Sequence, residues 1–334
     1  MLPEDKPLIL FINSPESDGV QDLMYNGLAR VLGPSQVIDY PWNLNFHINK
    51  RSYPANLGYT PGSLLPSLSA RHKRRRCDIV VVAAAKPQCF RTYLACLDSI
   101  PSSVPVVFLD GGDFSQPGGD LQRLKAYELY EEAVRRRPFD AVFKREYLAD
   151  ARLGDRVWPL QFCFNFDRLP QHLPALKKYD VAFWAVESNP VRTRALQLVE
   201  ERFDCGANGT IRNQKARHYM RRGAFYLQEL AACRIVLNFP GVGWDTQRYW
   251  EVPALGRCMI SMKPQISIPN NFVDREHVVF CKDDLSDLVE LCDFYLRNGE
   301  ERERIAVNAH AHADRFHSTG ARAEYMVERL LRLL

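Results

Sequence analysis

The sequence predicts an α/β protein made of two Rossmann-like units that face one another across a cleft. Short continuous apolar runs alternate with longer stretches of helical spacing, the pattern of parallel strands covered on both faces. That rhythm stops in a proline-rich stretch and resets near 165–178. The 334 residues exceed one typical domain and fit two of roughly 150 each.

In order, "PLILFINSP" (7–15) reads as a buried strand and "QDLMYNGLARVLG" (21–33) as a helix closed by Gly33. "QVIDYP" is a second strand, "CDIVVVAAA" (77–85) a β-branched third, "QCFRTYLACLDSI" (88–100) a helix and "VPVVFLDGGD" (104–113) another strand. "LQRLKAYELYEEAVRRR" (121–137) reads as one helix with a charged face, followed by a strand in "FDAVFKREYL" (139–148). The Asn-, Pro-, Gly- and Ser-rich region 43–76, ending in "RHKRRR", breaks the pattern and reads as a long irregular insertion or a partner-facing loop. "VWPLQFCFNFDRLPQHLPALKK" shows no sustained period. The second alternation runs through "YDVAFWAV" (179–186), the helix "VRTRALQLVEER", the helix "GAFYLQELAAC" and the strand "RIVLNFP" (234–240). Strands in "CMISM" and "VVFCK", the helix "DLSDLVELCDFYLRN" and two terminal helices complete it.

Composition narrows the function. Hydrophobic residues make up 46% and charged residues 25%, enough apolar material for two cores. The 44 basic and 40 acidic residues leave a net charge of +4, too balanced for a nucleic-acid binder. No window approaches the roughly 18 apolar residues of a membrane span. "MLPEDKPLILFINSP" reads as a first strand and not as a leader, so the expectation is a soluble, cytoplasmic protein. Nine cysteines (77, 89, 96, 163, 205, 233, 258, 281 and 292) lie in apolar runs without CxxC spacing, which suggests reduced core thiols.

Ligands of facing parallel sheets collect at the carboxyl ends of the strands, which singles out "NSPESDG", "LDGGDF" and "NFPGVGW". In "NFPGVGWDTQRYWEVPALG" (238–256), Gly241 and Gly243 let the backbone pass close to a bound group. Asp245 or Thr246 suits a helix N-cap, and Pro253 should kink or shorten the helix that follows. Helix N-terminal amides attract phosphate. Arg248 and Glu251 are three apart and share a helix face, so a guanidinium for phosphate and a carboxylate for vicinal ribose hydroxyls would stand together. The plainer reading of the same spacing is a solvated helix pair.

The run "CRIVLNFPGVGWDTQRYWEVPALGRCMISM", with "FVDREHVVFCKDDLSDLVELCDFYLRNGEERERIAVNAHAHADRFHST" after it, resembles the C-terminal domain of CgeB-type, group-1 glycosyltransferases of GT-B fold, with a related arrangement in exostosin-type transferases. The resemblance covers roughly 225–320, in the order strand, Gly turn, R-x-x-E-x-x-A-x-G, strand and helix. It implies a donor ribose carboxylate at Glu251, a phosphate contact at Arg248, and a turn beneath the sugar phosphate at Gly241 and Gly243, flanked by Trp244 and Asp245. Retaining members often carry a second Glu eight residues before the ribose Glu; that position is Gly243 here, which leaves retaining or inverting stereochemistry open. The implied organisation is an acceptor-side domain over 1–170, a nucleotide-sugar domain over 171–317 and a terminal helix over 318–334 that crosses back.

Arg192 and Arg194, in the first turn of a helix, are further donor-side candidates able to stabilise a departing diphosphate without a metal or other cofactor. Asp110 and Asp113 are the candidate catalytic bases, with Glu16, Asp18 and His47 as rivals and turn formation as the plainer role. His310, His312, His317 and Asp314 tempt as a metal site, but packing is the expected role, and the metal assignment is none. The expected partners are a nucleotide-sugar and a glycan or lipid-linked acceptor, in polysaccharide biosynthesis. The basic runs 71–77 and 135–137 allow peripheral contact with the cytoplasmic face of a membrane. A non-catalytic carbohydrate- or nucleotide-binding module and a sugar-nucleotide epimerase are the rival functions.

Overall fold

The computed structural model describes residues 6–47, 57–58, 60, 76–174, 177–185, 187–199, 202–203 and 223–334. Most of the insertion expected at 43–76, including the basic run 71–75, and Cys205 lie outside these residues. Two all-parallel sheets organise the chain. The first has six strands in the order β2-β1-β3-β4-β5-β6: β1 Ile9–Ile12, β2 Val37–Tyr40, β3 Ile79–Val82, β4 Val106–Asp110, β5 Ala141–Lys144 and β6 Val157–Pro159. The second has four in the order β10-β9-β8-β7: β7 Tyr179–Ala182, β8 Cys233–Asn238, β9 Cys258–Met262 and β10 Val279–Cys281. In the first sheet β1 lies between β2 and β3, so the direction of winding reverses at β1 and opens a crevice there.

The strands are continuous apolar runs because both of their faces are buried. In β1, Ile9 and Phe11 join one core while Leu10 and Ile12 join another, and β3 alternates in the same way. The first of these cores passes through both domains. It carries Phe143 and Leu160 from the first, Trp184, Tyr226 and Trp250 from the second, and Met326 and Val327 from the terminal helix. Burying each such side chain contributes roughly 1.5–3 kcal/mol. The eight described cysteines are all free and buried.

The helices are α1 Gly19–Leu32, α2 Leu44–His47, α3 Pro87–Cys96, α4 Gly119–Arg123, α5 Tyr127–Arg136, α6 Pro190–Val199, α7 Gly223–Ala231, α8 Gln247–Ala254, α9 Leu288–Arg297, α10 Gly299–His317 and α11 Thr319–Leu330. Two sequence expectations need correction. The single helix expected over 121–137 is α4 followed by α5: Lys125 takes a left-handed φ of 54°, and the Ala126 N–H reaches back to the Leu121 carbonyl at 2.9 Å in a Schellman stop. The aperiodic stretch after 155 hides β6, whose three half-buried residues end in Pro159, a residue sheets accept on an edge strand.

The chain returns to the first domain at its end. The Phe164 N–H donates to the His317 carbonyl at 2.9 Å, and α11 then packs along α1. Gly27 permits that approach, since a Cβ there would lie 2.2 Å from the Thr319 carbonyl oxygen. The Thr319 hydroxyl donates to Asn26 Oδ1 at 2.8 Å within the same contact.

Candidate active site

The turn between β8 and α8 is held from three sides. From within the second sheet, Asn238 Oδ1 accepts from the Thr246 hydroxyl at 2.6 Å, and Asn238 Nδ2 donates to Ser261 at 3.1 Å. Thr246 is the N-cap residue of α8, but its hydroxyl serves this contact and makes no cap bond. From the loop before α6, Asn189 Nδ2 donates to the Gly241 carbonyl at 3.0 Å, and from the first turn of α6 Arg192 donates to the Phe239 carbonyl at 3.0 Å and the Ser188 hydroxyl at 3.2 Å. From the first domain, Glu146 accepts from the Trp244 N–H at 2.9 Å and the Asp245 N–H at 3.0 Å. Neither Gly241 nor Gly243 has a left-handed φ. Their lack of a side chain is steric: a Cβ at Gly241 would sit 3.1 Å from the Arg192 guanidinium, and one at Gly243 only 2.4 Å from Glu146 Oε1.

Arg248, in the first turn of α8, is buried, with its guanidinium donating to the Trp184 carbonyl and lying 5.6 Å above the Phe183 ring. Among the described residues no carboxylate ion-pairs with it, and its Nε has no hydrogen-bond partner. Arg192 is near enough to feel it. Burial, and then the Arg248 charge, pull the Arg192 guanidinium down to about 10. Two largely buried guanidiniums within electrostatic reach of each other make a site suited to an anion with several oxygens. Glu251, one turn beyond Arg248, is 2% exposed and accepts from the Tyr226 hydroxyl at 2.9 Å. The helix ends just beyond, at Ala254, beside Pro253.

The other predicted residues separate. Arg194 is exposed on another side of α6, beside Glu187 and Gln197 and within electrostatic reach of Asp284. Trp244 gives the site its N–H while its ring packs on the second domain's outer core. Asp245 faces the first domain and the interior of α8: Oδ2 accepts from the Phe162 N–H of the first domain at 2.7 Å and Oδ1 from the Trp250 indole at 2.7 Å. Burial raises its carboxyl to about 7 against the pull of Arg145, with Glu146 adding to the rise.

Asp110 does not fit the role of a base. Its side chain is fully buried, accepts from the Gly112 and Gly118 N–H groups at 2.9 and 2.8 Å, and pairs with buried Lys144 at 3.2 Å. Nothing from solvent reaches it. Asp113 keeps 32% side-chain exposure at the cleft and pairs with Arg145. Of the rivals, Asp18 caps α1 by accepting from the Val20 and Gln21 N–H groups, both at 3.1 Å. His47 pairs with Asp39 at 3.0 Å and stacks on Trp42. Glu16 is exposed. The three histidines have packing partners: His310 bonds the Ala254 carbonyl at 2.8 Å, His312 the Asn270 carbonyl at 2.7 Å, and His317 lies 3.1 Å from the Arg322 guanidinium.

Sequence reasoning missed Arg145 and Glu146. They sit directly after β5, and the signal was present: three charged residues, "KRE", at the end of an apolar strand in "AVFKREYL". Burial would lower the Arg145 guanidinium, but Asp245, Glu146 and Asp113 around it raise it overall.

Residues 191–328, which contain Arg192, the turn, Arg248 and Glu251, match the family model described as glycosyl transferase-like. No curated protein matches the chain by sequence. Among solved structures, an α-glucosyltransferase in complex with UDP-glucose and DNA containing an abasic site aligns at 10% identity and a TM-score of 0.63, covering 98% of this chain and 100% of that one. Anabaena HepE in complex with UDP and glucose aligns at 13% identity and 0.59, again over 98% and 100%. Sucrose-phosphate synthase from Thermosynechococcus elongatus aligns at 12% and 0.54, over 98% and 99%. The shared architecture is GT-B, two Rossmann-like domains, and the stretch that matches the glycosyl transferase-like model begins after β7 of the second sheet.

Proposed function

We propose that the protein is a glycosyltransferase that moves a sugar from a nucleotide-sugar donor to a hydroxyl of a glycan or lipid-linked acceptor, without a metal. The observation that carries this is that Arg192, which bonds the Phe239 carbonyl and lies beside Gly241, and Arg248, in the first turn of the helix that follows the Gly241–Asp245 turn, stand within electrostatic reach of each other. In such a transfer the acceptor oxygen attacks the anomeric carbon and the nucleoside diphosphate departs with growing negative charge. Two fixed guanidiniums in a water-poor site stabilise that charge at little reorganisation cost, the task a divalent cation performs elsewhere. Glu251, set by Tyr226, is the carboxylate for the ribose hydroxyls. Asp113, at the cleft on the first domain, is the acceptor-side base that keeps access to solvent.

Within the class, the R-x-x-E-x-x-A-x-G order over 248–256 supports a CgeB-type assignment with an exostosin-like arrangement. HepE and the α-glucosyltransferase were solved with UDP or UDP-glucose, which makes UDP the first nucleotide to try. No helix among the described residues is long and apolar enough to cross a membrane. We place the enzyme in the cytoplasm, in polysaccharide biosynthesis, with peripheral membrane contact where the acceptor is lipid-linked. A thermal-shift screen with UDP, GDP, dTDP, CDP and CMP tests the reading: one nucleotide should raise the melting temperature, and Arg248→Ala and Glu251→Ala should abolish both that rise and transfer while leaving the fold intact. Full activity in either variant, or no response to any nucleotide, overturns it.

A further inference from the structure

We propose that Glu146 is a positioning residue of the donor site, a carboxylate carried across the cleft by the first domain into the space that a side chain at position 243 would occupy. The inference rests on the donor reading of the turn and deepens it. A Cβ built on Gly243 lies 2.4 Å from Glu146 Oε1, 2.6 Å from Cδ and 3.1 Å from Oε2. The carboxylate cannot simply swing aside, because it is 2% exposed and both oxygens accept backbone N–H groups, from Trp244 and Asp245.

The surroundings fit a site that is held in shape and not merely filled. Arg145 lies 3.4 Å from Glu146 and also pairs with Asp113, so the negative charge is compensated and tied to the acceptor side of the cleft. Asp245 makes the reciprocal contact, accepting from the Phe162 N–H of the first domain. Each domain thus gives a carboxylate to the other's backbone. Bonds from backbone N–H groups to a carboxylate such as Glu146 are charge-assisted, short and strongly directional. They fix the amides that follow Gly241 and Gly243, whose own bond, Gly241 N–H to the Gly243 carbonyl at 2.9 Å, closes the turn. Donor binding and the placement of the first domain are therefore coupled, and each favours the other.

The test is a cycle of Glu146→Ala and Gly243→Ala, with Glu146→Gln as the shape-preserving variant, read as UDP affinity and as UDP release from UDP-glucose. Glutamine has one acceptor oxygen for two N–H donors and leaves one amide facing its own NH2 group. Glu146→Gln should weaken UDP at least tenfold and raise the KM for UDP-glucose, while the protein still melts in one transition. Gly243→Ala should weaken UDP similarly, and the double variant should bind no worse than Glu146→Ala alone, because removing the carboxylate makes room for the methyl group. If Glu146→Gln lowers the melting temperature but binds UDP within twofold of the parent, or if the two alanine effects add, the proposal fails and Glu146 is only a structural contact. A parent protein that binds none of UDP, GDP, dTDP, CDP and CMP overturns the donor reading, and this inference with it.

Discussion

Asp245, on the second domain, accepts a hydrogen bond from the Phe162 N–H on the first at 2.7 Å, and its other oxygen takes the Trp250 indole. A buried carboxyl in this place makes stability depend on pH. With its carboxyl raised from 3.8 to about 7, the folded chain holds a proton that the unfolded chain releases between those values. Stability should therefore fall as pH rises through that window, by at most about 4 kcal/mol for a shift of roughly three units. Melting temperatures at pH 5 and pH 8 check it: the fall should be present in the parent and much smaller in Asp245→Asn.

Arg192 and Arg194 are two residues apart and should behave differently. Arg192→Ala removes a guanidinium bound to the Phe239 carbonyl at the donor turn and should cost about 1.5–3 kcal/mol of nucleotide affinity. Arg194→Ala, on an exposed side of the same helix, should leave the affinity within threefold. Titration calorimetry with UDP measures both.

The Asp110–Lys144 pair should prove to be about folding. Both side chains are fully buried, so Asp110→Ala leaves an uncompensated cation and should destabilise by roughly 3–5 kcal/mol. Urea unfolding reads that loss. The fraction that remains folded should keep its nucleotide affinity, because Asp110 touches the Gly112 and Gly118 amides and not the donor turn.

Two glycines at the α1–α11 contact should respond with opposite signs. Gly27→Ala drives a methyl group against the Thr319 carbonyl at 2.2 Å and should cost roughly 1–3 kcal/mol as an overpacked contact. Gly320→Ala has only Arg30 Cδ at 3.7 Å to meet and should gain about 0.5–1 kcal/mol in helix propensity. Chemical denaturation distinguishes them.

Most of the fold was legible because strands buried on both faces, such as "ILFI" and "IVVV", announce themselves as unbroken apolar runs. β6 was not, because its edge position exposes one side and admits Pro159. The split of α4 from α5 was hidden for a different reason: Lys125 in a left-handed conformation leaves no mark in composition. At the site, Arg248 and Glu251 were legible because one helix carries both, and Arg192 because it starts a helix at a strand end. Glu146 was not, since its partner lies almost a hundred residues away across the cleft. Asp110 misled because a strand-end aspartate looks the same in sequence whether it faces solvent or folds in on its own loop.

The pairing of α1 with α11 sets a schedule for synthesis. Asn26 and Thr319, bonded side chain to side chain, are 293 residues apart. At roughly 5–20 residues per second, the face of α1 that receives α11 waits on the order of 15–60 s for its cover as the chain emerges from the ribosome. The first domain begins to form before the second and is completed only after it, so its early surface is a place where a chaperone, or a wrong partner, would meet this protein.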